Sequence, residues 1–299
     1  MPRIQIFTAL WHPIWLYIFV SYLDMSIEGV ALATVMTHTL NFLISYIWIS
    51  IDHSIVKEGS WHFINKDSFT GIFEFLRYGI PSYLNLALEI WSFQAMHFMA
   101  GLLGIPQLGA SVILINLQAF LFMVPLGISF VSASLIGNNL GASNPRKAKV
   151  FVNVSFIIVL ILSSIFSIWM VTFREKITYL FTTDEDIAYY MISTMPLLAA
   201  FTCADQIQWA GSGVMKAMGY QTYAIPILVV GYLFVAVPIG YFWGLKLGMD
   251  LFGIWIGFPF GLTLNAAWFI YLIYRTDFKI LSKNVVERLR VQRLKLENL

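Results

Sequence analysis

The stretch from Ile90 to Pro145 reads IWSFQAMHFMAGLLGIPQLGASVILINLQAFLFMVPLGISFVSASLIGNNLGASNP and contains no Asp, Glu, Lys or Arg. A transmembrane helix needs about 20 mostly apolar residues, so this run is long enough to cross a bilayer twice. Gly104-Ile105-Pro106 divides it, because proline removes a backbone donor and clashes with the preceding turn of a helix. Working outward, further charge-free stretches occupy 4–23, 29–51, 150–173, 187–204, 217–245 and 251–274. Helices are expected at 6–23, 28–51, 75–103, 108–136, 150–173, 187–216, 222–245 and 251–274. The fold class that follows is an all-α membrane protein with about eight transmembrane helices.

Composition agrees. The 299 residues are 59% hydrophobic and 11% charged, with mean hydropathy +0.76. Soluble domains carry roughly 25% charged residues, so a water-soluble core is excluded. The net charge of +2 offers no footprint for nucleic acid. Cys203 is the single cysteine, so no intrachain disulfide forms, and no Cys/His spacing suggests a metal. No phosphate-binding glycine loop or catalytic constellation is present. The chain therefore reads as a non-enzyme without cofactor, whose evident partner is the lipid bilayer; oligomeric state is not legible.

Basic residues set the orientation, since cytoplasmic loops hold an excess of Lys and Arg. With both ends inside, fifteen basic residues lie on the inner side: Arg3, Lys57, Lys66, Arg77, Arg146, Lys147, Lys149, Lys216 and seven in the tail after residue 274. Three lie outside, Arg174, Lys176 and Lys246. Residues 52–71, carrying Asp52, Lys57, Glu58, Lys66 and Asp67, read as a cytoplasmic linker. Residues 275–299 read as a cytoplasmic basic tail, solvated in the plainer reading. The alternation of basic residues with Val285, Val286, Leu289, Val291 and Leu294 offers an amphipathic helix on the inner leaflet as the other. Arg3 before an apolar run resembles a signal peptide, but Trp11-His12-Pro13 interrupts the run and no small-x-small cleavage site follows, so a span is expected instead.

A partial repeat emerges at an offset of 224 residues. Segment 27–41 aligns with 251–265, matching Gly29 with Gly253 and Asn41 with Asn265. Many transporters are built from two such halves. On this reading residues 72–274 form a six-helix C-lobe, and residues 1–51 supply the last two helices of an N-lobe.

Fourteen of the sixteen acidic residues fall in loops, tails or helix ends; Glu89 and Asp205 lie well inside spans. A charge at the bilayer centre costs about 2.5–3.5 kcal/mol on insertion scales, and such groups usually face a bundle interior or a cavity. Desolvation disfavours the charged form of a buried carboxyl, which suits an acid to proton exchange. Residues three, four and seven apart share a helix face. Around Glu89 these include Ser82, Asn85, Ser92, Phe93 and Met96; around Asp205 they include Phe201, Thr202, Gln208, Trp209 and Ser212. This polar and aromatic mixture suits a cavity for flat organic cations, since aromatic faces attract cations. Asn85, Gln94, Gln208, Trp209, Asn116 and Gln118 are the candidate cavity residues, although the last three also suit plain packing or helix-to-helix hydrogen bonding. His38 and His97 read as structural, and the prolines within spans (Pro81, Pro125, Pro196, Pro226, Pro238, Pro259) as kinks that neighbours tolerate.

Ordered segments also resemble the MATE (multidrug and toxic compound extrusion) family. They are Pro81 through Phe93 with its acid at 89, Ile136-Gly137-Asn138-Asn139-Leu140-Gly141-Ala142 followed by Pro145 and Ala148, and Gly211 through Gln221 after Asp205. Val237-Pro238-Ile239-Gly240 and Gly253-Ile254-Trp255-Ile256-Gly257 complete the set. The resemblance implies that residues 1–51 are similar to the family's fifth and sixth helices, and that Glu89 and Asp205 are coupling and substrate acids. It further implies a secondary antiporter exporting organic cations or xenobiotics in exchange for protons or sodium, in a plasma, vacuolar or other internal membrane. Three features depart from the pattern. Gln94 stands where eukaryotic relatives often carry a second glutamate, and Lys216-Ala217 where Arg-Gly is usual. Four N-terminal helices of the family, one with an acid, have no counterpart, so a truncated copy is a further reading. A lipid flippase would instead want basic residues in its cavity, and a receptor would not need paired intramembrane acids.

Overall fold

The computed structural model describes residues 2–51 and 72–297. The linker expected at 52–71 lies outside the described residues. The chain divides into two compact units, Met1–Ile72 and Phe73–Leu299. Among the described residues, eight helices are long and apolar enough to cross a membrane, and they coincide with the eight helices expected from the sequence. The chain is a multi-pass integral membrane protein.

The first unit is a helical hairpin. Helix α1 (Pro2–Leu16) continues as a π-helix over Tyr17–Tyr22, and α2 spans Ser26–Ile51. Apolar surface gains little by leaving lipid, so membrane helices associate through close packing and interhelical hydrogen bonds. Here His12 Nδ1 and Thr37 Oγ1 lie 2.9 Å apart, and Asn41 Nδ2 donates to Thr8 Oγ1 at 3.3 Å.

The second unit contains α3 (Ile72–Leu103), α4 (Ile105–Gly141), α5 (Pro145–Thr172), the short α6 (Arg174–Phe181), α7 (Glu185–Met218), α8, α9 (Asp250–Arg275) and α10 (Phe278–Glu297). Helix α7 is central, packed on α4, α5 and α9. Both its ends are well capped. The Asp184 carboxylate accepts from the backbone N–H groups of Asp186 and Ile187 at 3.0 and 3.1 Å, which satisfies donors that a first turn leaves free. At the other end Gly219 takes a left-handed φ of 73°, and Tyr220 N–H returns to the Met215 carbonyl at 2.8 Å, a glycine-dependent helix stop. Where positive-inside counting puts the outer side, Gln107, Tyr190 and Asp250 tie α4, α7 and α9. Tyr190 Oη donates to Asp250 Oδ2 and Gln107 Nε2 donates to Tyr190 Oη, each at 2.9 Å.

Helix α8 is irregular. It runs as α-helix over Gln221–Leu228, π-helix over Val229–Ala236, α-helix over Val237–Tyr241 and π-helix over Phe242–Lys246. Pro226 and Pro238 bracket the first π segment, where missing N–H donors favour a change of hydrogen-bond register. Against α8 lies a seam of glycines on α9 at every fourth position: Gly253, Gly257 and Gly261. A Cβ on Gly257 would overlap the Ala236 carbonyl, and one on Gly261 the Gly231 carbonyl. The backbones touch there because no side chain intervenes.

Two expectations need correction. Helix α4 continues past 136 to Gly141, because the Asn139 amide donates to the Leu135 carbonyl and leaves the backbone helical. The tail is not simply solvated. Phe278, Leu281 and Ser282 are buried at helical spacing, and Ser282 Oγ donates to the Leu140 carbonyl at 2.8 Å, so α10 is held against the end of α4.

Candidate functional site

Glu89 and Asp205 are both buried, at 8% and 1% exposure, and lie near enough to sense each other's charge. Helix α3 delivers Glu89 and α7 delivers Asp205. Trp209, one turn beyond Asp205, donates its indole N–H to Glu89 Oε1 at 3.0 Å. Gln118 on α4 donates to Asp205 Oδ2 at 2.6 Å. Gln208 on α7 donates to the Tyr232 hydroxyl at 2.6 Å, and Tyr232 lies beside Glu89. Four helices thus converge on two carboxyl groups.

The other edges of this network are unfilled. Asp205 Oδ1, Gln118 Oε1, Gln208 Oε1 and Asn85 Oδ1 are buried with no hydrogen-bond partner. All four are acceptors, and two stand on the residues that contact Asp205 and Tyr232. Buried acceptors without partners are costly, and a proton or a cation satisfies them. A slot of about 20 Å³ reaches Glu89, lined by Ser82, Asn85, Gln208, Trp209, Ser212 and Lys216 among others. That volume admits about one water. Phe122 meets the Trp209 ring edge to face at 4.5 Å between centroids, which holds the indole N–H on Glu89.

The sequence candidates separate cleanly. Asn85, Gln118, Gln208 and Trp209 gather around the acids. Gln94 and Asn116 do not: both are exposed, neither lines the slot, and the Asn116 amide donates to the Val112 carbonyl of its own helix at 2.9 Å. Five residues of α-helix turn Gln94 about 140° from Glu89, and two turn Asn116 about 200° from Gln118, so neither shares its neighbour's face. Two site residues were missed. Tyr232 is fully buried; its signal was a hydroxyl in an apolar span, which needs a partner. Lys216, counted with the inner loops, belongs to the last turn of α7 and lines the slot.

The MatE family pattern matches residues 81–242, a segment that holds Glu89, Gln118, Asp205, Gln208, Trp209 and Tyr232. The chain belongs to the MatE family. Among MatE relatives it is similar to multidrug and toxin extrusion protein 1 of Danio rerio, with 29% identity over 276 residues, covering 92% of this chain and 46% of that protein. Similarity to protein DETOXIFICATION 16 of Arabidopsis thaliana is 30% over 245 residues, covering 81% and 50%. The chain thus spans about half the length of the curated relatives it matches. A crystal structure of a eukaryotic MATE transporter superposes with a TM-score of 0.86 at 24% identity, covering 95% of this chain and 63% of that one. A Vibrio cholerae MATE transporter gives 0.74 at 17% identity, covering 91% and 62%. These superpositions establish a shared MatE fold.

Proposed function

We propose that the chain is the cation-handling part of a secondary exporter that exchanges an organic cation for a proton or a sodium ion. The observation that carries this reading is the convergence of Glu89 and Asp205 on one buried cluster with Trp209 and Tyr232. Two carboxylates enclosed together resist being ionised at once, so the site favours uptake of one positive charge. A proton, a sodium ion and an organic cation compete for it. Each weakens the binding of the others by the same factor that they weaken its own. Bound in turn from opposite sides of a membrane, they exchange. Trp209 and Phe122 supply aromatic faces for a flat cation, and the extrusion named in the relatives' descriptions supports the same direction.

The test uses the purified chain in lipid nanodiscs, titrated with a fluorescent lipophilic cation across pH and sodium concentration. Affinity is expected to fall as either competitor rises. Glu89→Gln keeps size and removes charge. It is expected to weaken binding about tenfold or more, the scale of a hydrogen-bonded charge, and to flatten the dependence on the competing ion. Asp205→Asn should also weaken binding. Asp184→Asn should not, since Asn caps a helix as well as Asp does and the site is exposed. Wild-type affinity and competition in Glu89→Gln would overturn the assignment.

A further inference from the structure

The slot that reaches Glu89 carries a second charged group toward the end of α7. Lys216 is the one basic side chain among the described residues that line it; it belongs to the last turn of α7 and is half-buried. Helices α3 and α7 run in opposite directions along the slot. Glu89 meets Trp209, and one turn earlier on α3 the Asn85 amide reaches the Gln221 carbonyl, beyond the end of α7, at 3.5 Å. A helical side chain leans toward the N-terminus of its own helix. In this antiparallel pair Glu89 therefore leans toward Asn85 and Ser82, while Lys216 leans toward Ser212 and Trp209. All six line the slot, so the acid and the ammonium enter one space from opposite directions. A lysine near the end of a transmembrane helix ordinarily extends its stem to the interface; Lys216 leans the other way.

Seven residues of α-helix put Lys216 about 10 Å along the axis from Trp209. Lysine carries a compact charge on a flexible four-carbon stem, so its ammonium can advance and withdraw without a move of the backbone. A unit charge about 10 Å away changes the binding of another charge roughly tenfold at an effective dielectric constant of about 20. Two enclosed carboxylates favour the uptake of one positive charge, and Lys216 is a positive charge that the chain itself supplies. We propose that Lys216 is a tethered competitor: with no ligand bound its ammonium attends Glu89, and an arriving proton or cation displaces it toward the end of α7. This rests on the reading of Glu89 as a cation-binding acid. A built-in competitor weakens capture and hastens release, and an exporter needs both steps.

Reductive methylation with isotope-labelled formaldehyde turns the lysines of the purified full chain, in nanodiscs, into dimethyl-lysines that keep their charge. The NMR signal absent from Lys216→Arg is that of Lys216. It is expected to shift in Glu89→Gln and on saturation with tetraphenylphosphonium, and to stay in place in Asp184→Asn, whose exposed acid caps the opposite end of α7. Lys216→Met keeps the length of the stem and removes its charge, and should tighten tetraphenylphosphonium binding roughly tenfold. Lys216→Arg should bind like the wild type. The tightening should vanish in the Glu89→Gln background, because a competitor needs the site for which it competes. A signal that ignores Glu89→Gln overturns the inference, and it is read with Lys216 in place, so it decides even where Lys216→Met does not fold. Wild-type affinity in Lys216→Met, or equal tightening with and without the Glu89 carboxylate, overturns it as well. These failures leave the reading of Glu89 standing; unchanged cation affinity in Glu89→Gln sinks that reading itself.

Discussion

The α1–α2 hairpin and the α8–α9 hairpin trace the same turn 224 residues apart. Leu23 N–H reaches the Ile18 carbonyl and Leu247 N–H the Phe242 carbonyl, both at 2.9 Å; Met25 reaches Phe19 at 2.9 Å, and Met249 reaches Trp243 at 3.1 Å. Left-handed Asp24 in one, with φ 51°, matches Gly248 in the other, with φ 67°, and the second turn adds a left-handed Asp250 at φ 59°. Gly29 faces the Phe19 carbonyl and Gly253 the Trp243 carbonyl, where a Cβ would come within 3.0 and 2.7 Å. Beyond this frame the two diverge. Down the seam, Gly257 and Gly261 of α9 correspond to Ala33 and Thr37 of α2, and the backbone contact at Ala236 corresponds to a hydrogen bond at His12. One hairpin is held by touching backbones, the other by polar side chains. Tyr232, which reaches Glu89, corresponds to Thr8, which only ties α1 to α2. The two hairpins share the turn and differ in the contacts below it.

The largest test of that contrast is Gly257→Val. A β-branched side chain cannot fit against the Ala236 carbonyl, and the loss of stability should reach about 3 kcal/mol, at or above the upper range for overpacking. Ala33→Gly at the equivalent position should cost only about 0.5–1 kcal/mol. Unfolding of the purified chain in bicelles measures both, and similar losses would dissolve the distinction. Next comes Tyr232→Phe, which leaves the buried Gln208 amide without its acceptor. It should cost about 1–3 kcal/mol and weaken cation binding, while Thr8→Val should leave binding unchanged. A double-mutant cycle on His12→Ala and Thr37→Val should return about 0.6–1.7 kcal/mol, the span seen for interhelical hydrogen bonds in membranes. A coupling of zero would remove the polar account of the first hairpin. The smallest effect belongs to Asp24→Gly, which relieves a left-handed aspartate and should raise stability by up to about 1 kcal/mol.

The spans were legible because charge is so costly in lipid that its absence marks them, and Glu89 and Asp205 were legible as the exceptions. Asn85, Gln208 and Trp209 followed from helical spacing around those acids, whereas Gln118 stood out only as a polar residue in a neighbouring span. Gln94 and Asn116, chosen for polarity without helical phase, lie off the faces that carry the acid cluster. Tyr232 escaped because a tyrosine counts among apolar residues until its hydroxyl is asked for a partner. The packing of α10 was obscured by its many basic residues, although Phe278, Leu281 and Ser282 carry the period of a buried face. The π segments of α8 had no sequence signal beyond Pro226 and Pro238, since register within a helix depends on what the neighbouring helix permits.

The slot at Glu89 holds room for about one water. For the proposed exchange, a proton needs no more room there than a water does and asks nothing of the fold. Pockets for drug-sized ligands measure several hundred cubic ångströms, so on the same proposal an organic cation would need the helices that line the slot to part. On that proposal the two competitors would reach the same carboxylate by routes of different cost: the small one with the helices as they stand, the large one only when they separate.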